Sequence, residues 1–412
     1  MHDTTPSHLI RITLLGLALV ACGDDGAGGK DTGATTTSTA TDTTSSTDGT
    51  TATDSATSTA TDSTTSATDT TVAVDTTTGS CSEQDLEACR YLDRGLELTR
   101  VEGFATTEPV TGRTLPLVAR IPKKAGPLPV VLWSHGGGFR AGGENESATW
   151  GAMMARHGYV VIHVGHAALE AGDAAALCDA ASIPEGDCVP SEDEDSNGLL
   201  AIGRSFDLEA VLDDLSRLSQ LSVNRDGPAL DLDRVALAGW SGGSRGPMVL
   251  MGAKIKPTTN APLFTNEHAM AKAAFFMSPA GPPYAGYFID DEESTWDAMR
   301  GPTFWCTGEN DVKPDKVELT GAIRRAGYPT QPADGKRLLL YSNLPVGVGG
   351  HGTYNLGDLE SDDARLVRLS QAIASVARAF LDASLFDDAQ AKAWLASDKA
   401  DVLAGDVDWE RR

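Results

Sequence analysis

The sequence predicts an α/β domain on a largely parallel sheet, and two observations carry that prediction. Short apolar runs alternate with amphipathic stretches over the C-terminal three quarters of the chain. Several of those runs are continuously apolar, as strands covered on both faces must be.

The strands fall, in order, at Pro129–Trp133, Tyr159–Val164, Arg234–Ala238, Ala273–Ser278, Thr303–Thr307 and Arg337–Tyr341. Two earlier segments, Leu96–Phe104 and Thr114–Ile121, alternate apolar and polar residues and predict an antiparallel edge. Leu208, Val211, Leu212, Leu215 and Leu218 recur at helical spacing, as do Leu366, Leu369, Ile373, Val376, Ala377 and Phe380. Between about 166 and 203 lies an aperiodic insertion, and a loop of that length in a compact domain is commonly functional.

What precedes this domain is different in kind. Residues 1–21 read as a signal peptide: Leu9–Ala21 is apolar, with Arg11 near its start, and too short to span a bilayer. Residues 22–80 are dominated by Thr, Ser, Asp, Ala and Gly. They cannot bury enough apolar surface to offset backbone entropy, so a disordered tether is expected. The folded region is then 81–412.

A net charge of -25 and the run Ser191-Glu192-Asp193-Glu194-Asp195 argue against a phosphate-binding face. Nucleic acid is therefore not expected as a partner. The six cysteines suit an exported chain: Cys81 with Cys89 and Cys178 with Cys188 are close enough in sequence to pair as disulfides. Cys306, inside an apolar strand, is expected to be a buried free thiol.

The chemistry concentrates at strand ends. Val235-Ala236-Leu237-Ala238 runs into Gly239-Trp240-Ser241-Gly242-Gly243, a Gly-x-Ser-x-Gly turn that would lift a serine hydroxyl clear of a sheet. In a chain with 43 glycines the bare pattern is weak, and Gly242-Gly243-Ser244-Arg245-Gly246 satisfies it too. The preceding strand favours Ser241, on the expectation that the turn begins at Gly239.

A serine nucleophile needs a base, and the base needs an acid to orient it. Only His268 and His351 follow Ser241, and His268 comes too early to leave an acid between. His351, in a glycine loop after the strand Arg337–Tyr341, is the candidate base. Asp311, closing the preceding strand, is the candidate acid. Glu309 is the runner-up, and Asp315 is disfavoured by a helix expected to start near Pro314.

Oxyanion donors are sought where another strand ends in glycines: Ser134-His135-Gly136-Gly137-Gly138-Phe139. The amides of Gly137, Gly138 and Gly242 would form the hole. His163-x-x-His166 is not read as a metal pair, because on a strand the two side chains would face opposite sides. No metal and no organic cofactor is implied.

Two resemblances follow from these residues. Leu19-Val20-Ala21-Cys22-Gly23 resembles the lipobox of bacterial lipoproteins, which implies acylation of Cys22 and a membrane-tethered, exported protein; a plain secretory signal is the alternative. From about Leu96 to Leu395 the chain resembles the α/β-hydrolase superfamily. His135-Gly136-Gly137-Gly138-Phe139 looks like the oxyanion segment of hormone-sensitive-lipase-type esterases, although their Gly-Asp-Ser-Ala-Gly elbow is absent. Gly239-Trp240-Ser241 and Phe380-Leu381-Asp382-Ala383 look more like dienelactone-hydrolase-like, platelet-activating-factor-acetylhydrolase-like and polyester-hydrolase-like members. The resemblance implies a monomeric serine esterase acting on a small or polymeric ester, with Phe139, Trp240, Pro279 and Tyr284 at the substrate. The rivals are a peptidase or acyltransferase on the same triad, or a non-catalytic binding protein.

Overall fold

A computed structural model describes residues 95–188, 198–220, 229–258, 260–282, 284–313, 317–398 and 407–412. Cys22, the Cys81/Cys89 pair, Asp315 and the acidic run from Ser191 lie outside the described residues, as do the signal and tether segments. In chain order the elements are β1 (Leu98–Thr107), β2 (Thr114–Pro122), β3 (Leu128–Ser134), α1 (Ala148–His157), β4 (Val160–Val164), α2 (Asp173–Ala180), α3 (Glu185–Cys188), α4 (Gly198–Gln220) and β5 (Leu230–Trp240). There follow α5 (Arg245–Leu250), β6 (Ala271–Met277), β7 (Thr303–Gly308), α6 (Gly321–Arg325), β8 (Arg337–Ser342), α7 (Ala364–Leu385), α8 (Ala389–Ala396) and β9 (Val407–Arg411).

The strands form one sheet in the order β1-β2-β4-β3-β5-β6-β7-β8-β9. From β4 to β8 all neighbours are parallel, and β1, β2 and β9 add antiparallel partners at the edges. This is an α/β fold. Successive side chains of a strand enter opposite faces, so one run supplies two cores. Val130, Leu132, Val235 and Leu237 pack with α4 and α5, whereas Val131, Trp133, Ala236 and Ala238 pack with α1, α7 and α8.

Three expectations need correction. Strand β5 does not stop before Gly239 but runs through it to Trp240, so the turn begins at Ser241 itself. Pro314, where a helix is expected to start, lies outside the described residues; the next described helix starts at Gly321, where the Thr320 side chain accepts from the Ile323 amide and caps it. Strand β4 ends at Val164, so His166 is no longer on a strand, and the alternation argument for the His163/His166 pair does not apply. The insertion, which shows no periodicity in sequence, contains α2, α3 and the start of α4, closed by the Cys178–Cys188 disulfide.

The topology fixes where a site can form. The chain leaves β3, returns as β4 on one side, and then crosses to β5 on the other. The connections therefore part above the ends of β3 and β5, which opens a crevice at the carboxyl edge. Ser134 and Trp240 end those two strands. No helix among the described residues is long and apolar enough to cross a membrane.

Candidate active site

Ser241 lies where β5 gives way to a 3-10 helix, Ser241–Ser244, that continues into α5. Its φ is +55°, in the left-handed region that a non-glycine residue occupies at a cost of about 1–3 kcal/mol. The turn closes because its neighbours have no side chains. A Cβ at Gly239 would overlap the Gly243 carbonyl, and one at Gly243 would overlap the carbonyl of Ser134. These are backbone obstacles that no rotamer change can relieve. We expect Gly239→Ala to cost more than about 4 kcal/mol, or to leave no soluble protein. Gly186→Ala, where a Cβ meets nothing within 4 Å, should leave the melting temperature unchanged in a circular-dichroism melt.

The structure brings Ser241, His351 and Asp311 into one line. His351 Nε2 lies 2.8 Å from Ser241 Oγ, and His351 Nδ1 lies 2.8 Å from Asp311 Oδ1. Ser244 is fully buried, and its hydroxyl donates to the Gly239 carbonyl at 2.9 Å, turned back into the elbow. Glu309 is used elsewhere: its Oε2 accepts from Tyr341 Oη at 2.7 Å. His268 is half-buried, and its Nε2 lies 3.2 Å from Asp213 Oδ1.

Asp311 is held by more than the histidine. Oδ1 also accepts from Ser278 Oγ at 2.8 Å and lies 3.2 Å from Arg324 Nε, while Oδ2 accepts from Thr307 Oγ1 at 2.7 Å. Ser278 Oγ stands 2.7 Å from His351 Nδ1, so the ring N–H is shared between serine and carboxylate. Ser278 itself has φ +50°. Arg324 donates in addition to the carbonyls of Asp311, Ser278 and Pro279. Burial pushes its guanidinium below the usual arginine range, and the Asp311 charge pulls it back. Next to the acid, Asn310 Nδ2 donates to the carbonyls of Leu344 and Val348 at 3.0 Å, which ties down the loop carrying His351. That loop ends in a 3-10 helix, His351–Asn355.

None of these supports was picked out from sequence. Ser278 stands in the sequence only as the end of an apolar strand, and Arg324 is one of two arginines in a short helix. Nothing local distinguishes it from Arg325.

The glycine loop ends β3 beside the elbow. A Cβ at Gly242 would stand 2.7 Å from the Gly137 carbonyl, so the two backbones approach this closely because residue 242 has no side chain. Gly137 has φ +72°. Trp240 donates its indole N–H to the His351 carbonyl at 3.3 Å, and its ring lies 4.9 Å from the imidazole, centroid to centroid. Phe139 is buried against Gly203 of α4, with the Arg113 guanidinium 5.2 Å from its ring centre. Pro279 is buried, and Tyr284 Oη donates to Glu318 Oε1 at 2.6 Å. Cys306 is a buried free thiol, pushed well above the usual range by burial and then by the Asp311 charge.

No protein-family model and no curated protein matches this chain.

Proposed function

We propose that this chain is a serine esterase of the α/β-hydrolase type, cleaving a carboxylic ester through Ser241, His351 and Asp311. One observation carries the reading: a serine hydroxyl on a left-handed strand-to-helix turn, 2.8 Å from an imidazole whose other nitrogen meets a buried carboxylate.

Ser241 Oγ attacks the carbonyl carbon while His351 Nε2 takes its proton. Asp311 holds the ring in the Nδ1–H tautomer and stabilises the imidazolium. The Gly137, Gly138 and Gly242 amides receive the negative charge that grows on the carbonyl oxygen. The alcohol then leaves with the proton from His351, and water, activated by the same imidazole, releases the acid. Trp240 supports the base from its face.

The Cys178–Cys188 disulfide supports the export part of this reading, since such bonds persist in oxidising compartments. Acylation at Cys22 would make the protein a lipid-anchored one of the cell envelope.

A fluorophosphonate probe should label wild type and Ser244→Ala but not Ser241→Ala. Nitrophenyl esters should be hydrolysed by wild type, with kcat about 10⁴–10⁶-fold lower in Ser241→Ala. Wild type that neither labels nor turns over any ester of a graded acyl series overturns the reading; labelling at Ser244 overturns the choice of nucleophile.

A further inference from the structure

A second line of serine, histidine and aspartate lies beneath the glycine loop, facing inward. Ser134 Oγ is 2.8 Å from His166 Nε2, and His166 Nδ1 is 2.8 Å from Asp207 Oδ2. All three residues are fully buried, so no substrate reaches this serine. Arg204, also fully buried, donates to Ser134 Oγ at 3.2 Å.

With Asp207 ionised the proton directions close. Ser134 accepts from Arg204 and has its own O–H available for His166 Nε2. His166 then carries its proton on Nδ1, where the Asp207 carboxylate accepts it. Asp207 Oδ1 takes Arg113 Nη2 at 2.7 Å. Burial, followed by the charges of Arg204 and Arg113, drives the His166 proton affinity down, in keeping with a neutral ring.

The remaining donors of Arg204 reach the loop itself. Nη1 bonds the His135 carbonyl, and Nη2 donates to the carbonyls of Gly137 at 2.7 Å and Gly138 at 2.9 Å. The carbonyl between them, that of Gly136, is taken by His135 Nδ1 at 2.7 Å. Four consecutive carbonyls are thus engaged by buried donors. In a trans peptide the N–H points opposite to the C=O, so the amides of Gly137 and Gly138 are turned away from those donors. Successive N–H groups presented in this way form a cradle for an anion.

We propose that Arg204 is a positioning residue that presets the Gly138 oxyanion amide by holding the Gly137 carbonyl, and steadies the loop around the Gly137 amide through the carbonyls of His135 and Gly138, with the Ser134–His166–Asp207 line bracing its guanidinium. This rests on the esterase reading above. A preset cradle acts on the tetrahedral state and hardly on the bound ester, so kcat should suffer and KM should not.

The test uses the full chain with Arg204→Met and Arg204→Lys, nitrophenyl ester kinetics, and inhibition by an alkyl boronic acid, which forms a tetrahedral adduct on serine. Arg204→Met should lose about 10²-fold in kcat with KM within about threefold, and boronate affinity should fall in step with kcat/KM. Arg204→Lys, which keeps the charge but not the fork, should recover part of both and remains measurable should the methionine variant not fold. Wild-type kcat in either variant, or a lower kcat with unchanged boronate affinity, overturns the proposal and leaves the esterase reading intact. A wild-type chain inert to every ester and to the probe removes both.

Discussion

Asp311→Asn should lower kcat about 10⁴-fold and destabilise the fold at the same time, measurable by ester kinetics and urea unfolding on one preparation. The kinetic loss follows from the tautomer: an amide nitrogen turned toward His351 would favour the ring form with its proton on Nε2, which cannot accept from Ser241. The stability loss follows from Arg324. Its side chain is 2% exposed, and the Asp311 carboxylate, 3.2 Å away, is its ion-pair partner. Neutralising one member of a buried pair leaves the other charge uncompensated, at about 3–5 kcal/mol. Ser278 and Thr307 both donate to Asp311, so an amide nitrogen on either side also meets a donor. Full activity in Asp311→Asn would remove aspartate from the proposed mechanism; unchanged urea stability would show that Arg324 does not depend on it.

A steep loss of stability on mild acidification is the second large effect. His135, His163 and His166 are buried, and burial is the leading cause that lowers the proton affinity of each. Their folded values lie below the unfolded one, so their stabilising contribution is complete above about pH 6.5 and is lost as pH falls below it. Asp207 acts in the opposite sense. Burial raises it from 3.8 to about 7, against Arg113 and Arg204, so the folded chain keeps a proton there that the unfolded chain releases. Three protons taken up on unfolding less one released leaves two. At about 1.4 kcal/mol per proton and pH unit, stability should fall by roughly 3 kcal/mol per unit as pH drops below about 6.5. Urea titrations across that range measure the slope, and His163→Leu should flatten it by about half. A slope of zero or of opposite sign would mean that these rings are protonated in the folded state.

The contrast between what could and could not be read from sequence has a physical basis. Several of the six central strands are continuous apolar runs because both faces are covered, and such runs stand out in sequence. Strand ends and chain order then sufficed to select Ser241, Asp311 and His351, which the structure brings together. Strand β9, Val-Asp-Trp-Glu-Arg, was not anticipated because an edge strand with half its surface in water carries little apolar signal. The turn at Ser241 was placed early because Gly239 looked like a strand terminus; its real constraint is the Gly243 carbonyl across the turn. Arg324, Ser278 and Arg204 carry no local signal, and His166 is weighed only as one of a metal pair, because their partners lie 13 to 73 positions away, the closest being Arg324 with Asp311 and the farthest Ser278 with His351. Only the assembled sheet brings such residues within reach.

That β9 strand has a consequence for association. Strand β8 is buried along its whole length and presents Leu338, Leu339 and Leu340 in succession. Without Val407–Arg411 paired along it, its amides and carbonyls would form an open template for another chain. The polar face of β9, with Asp408 and Glu410, closes that template with charge and discourages further strand addition. This short strand thus covers an apolar border of the sheet, and trimming it should favour aggregation ahead of any loss at the crevice.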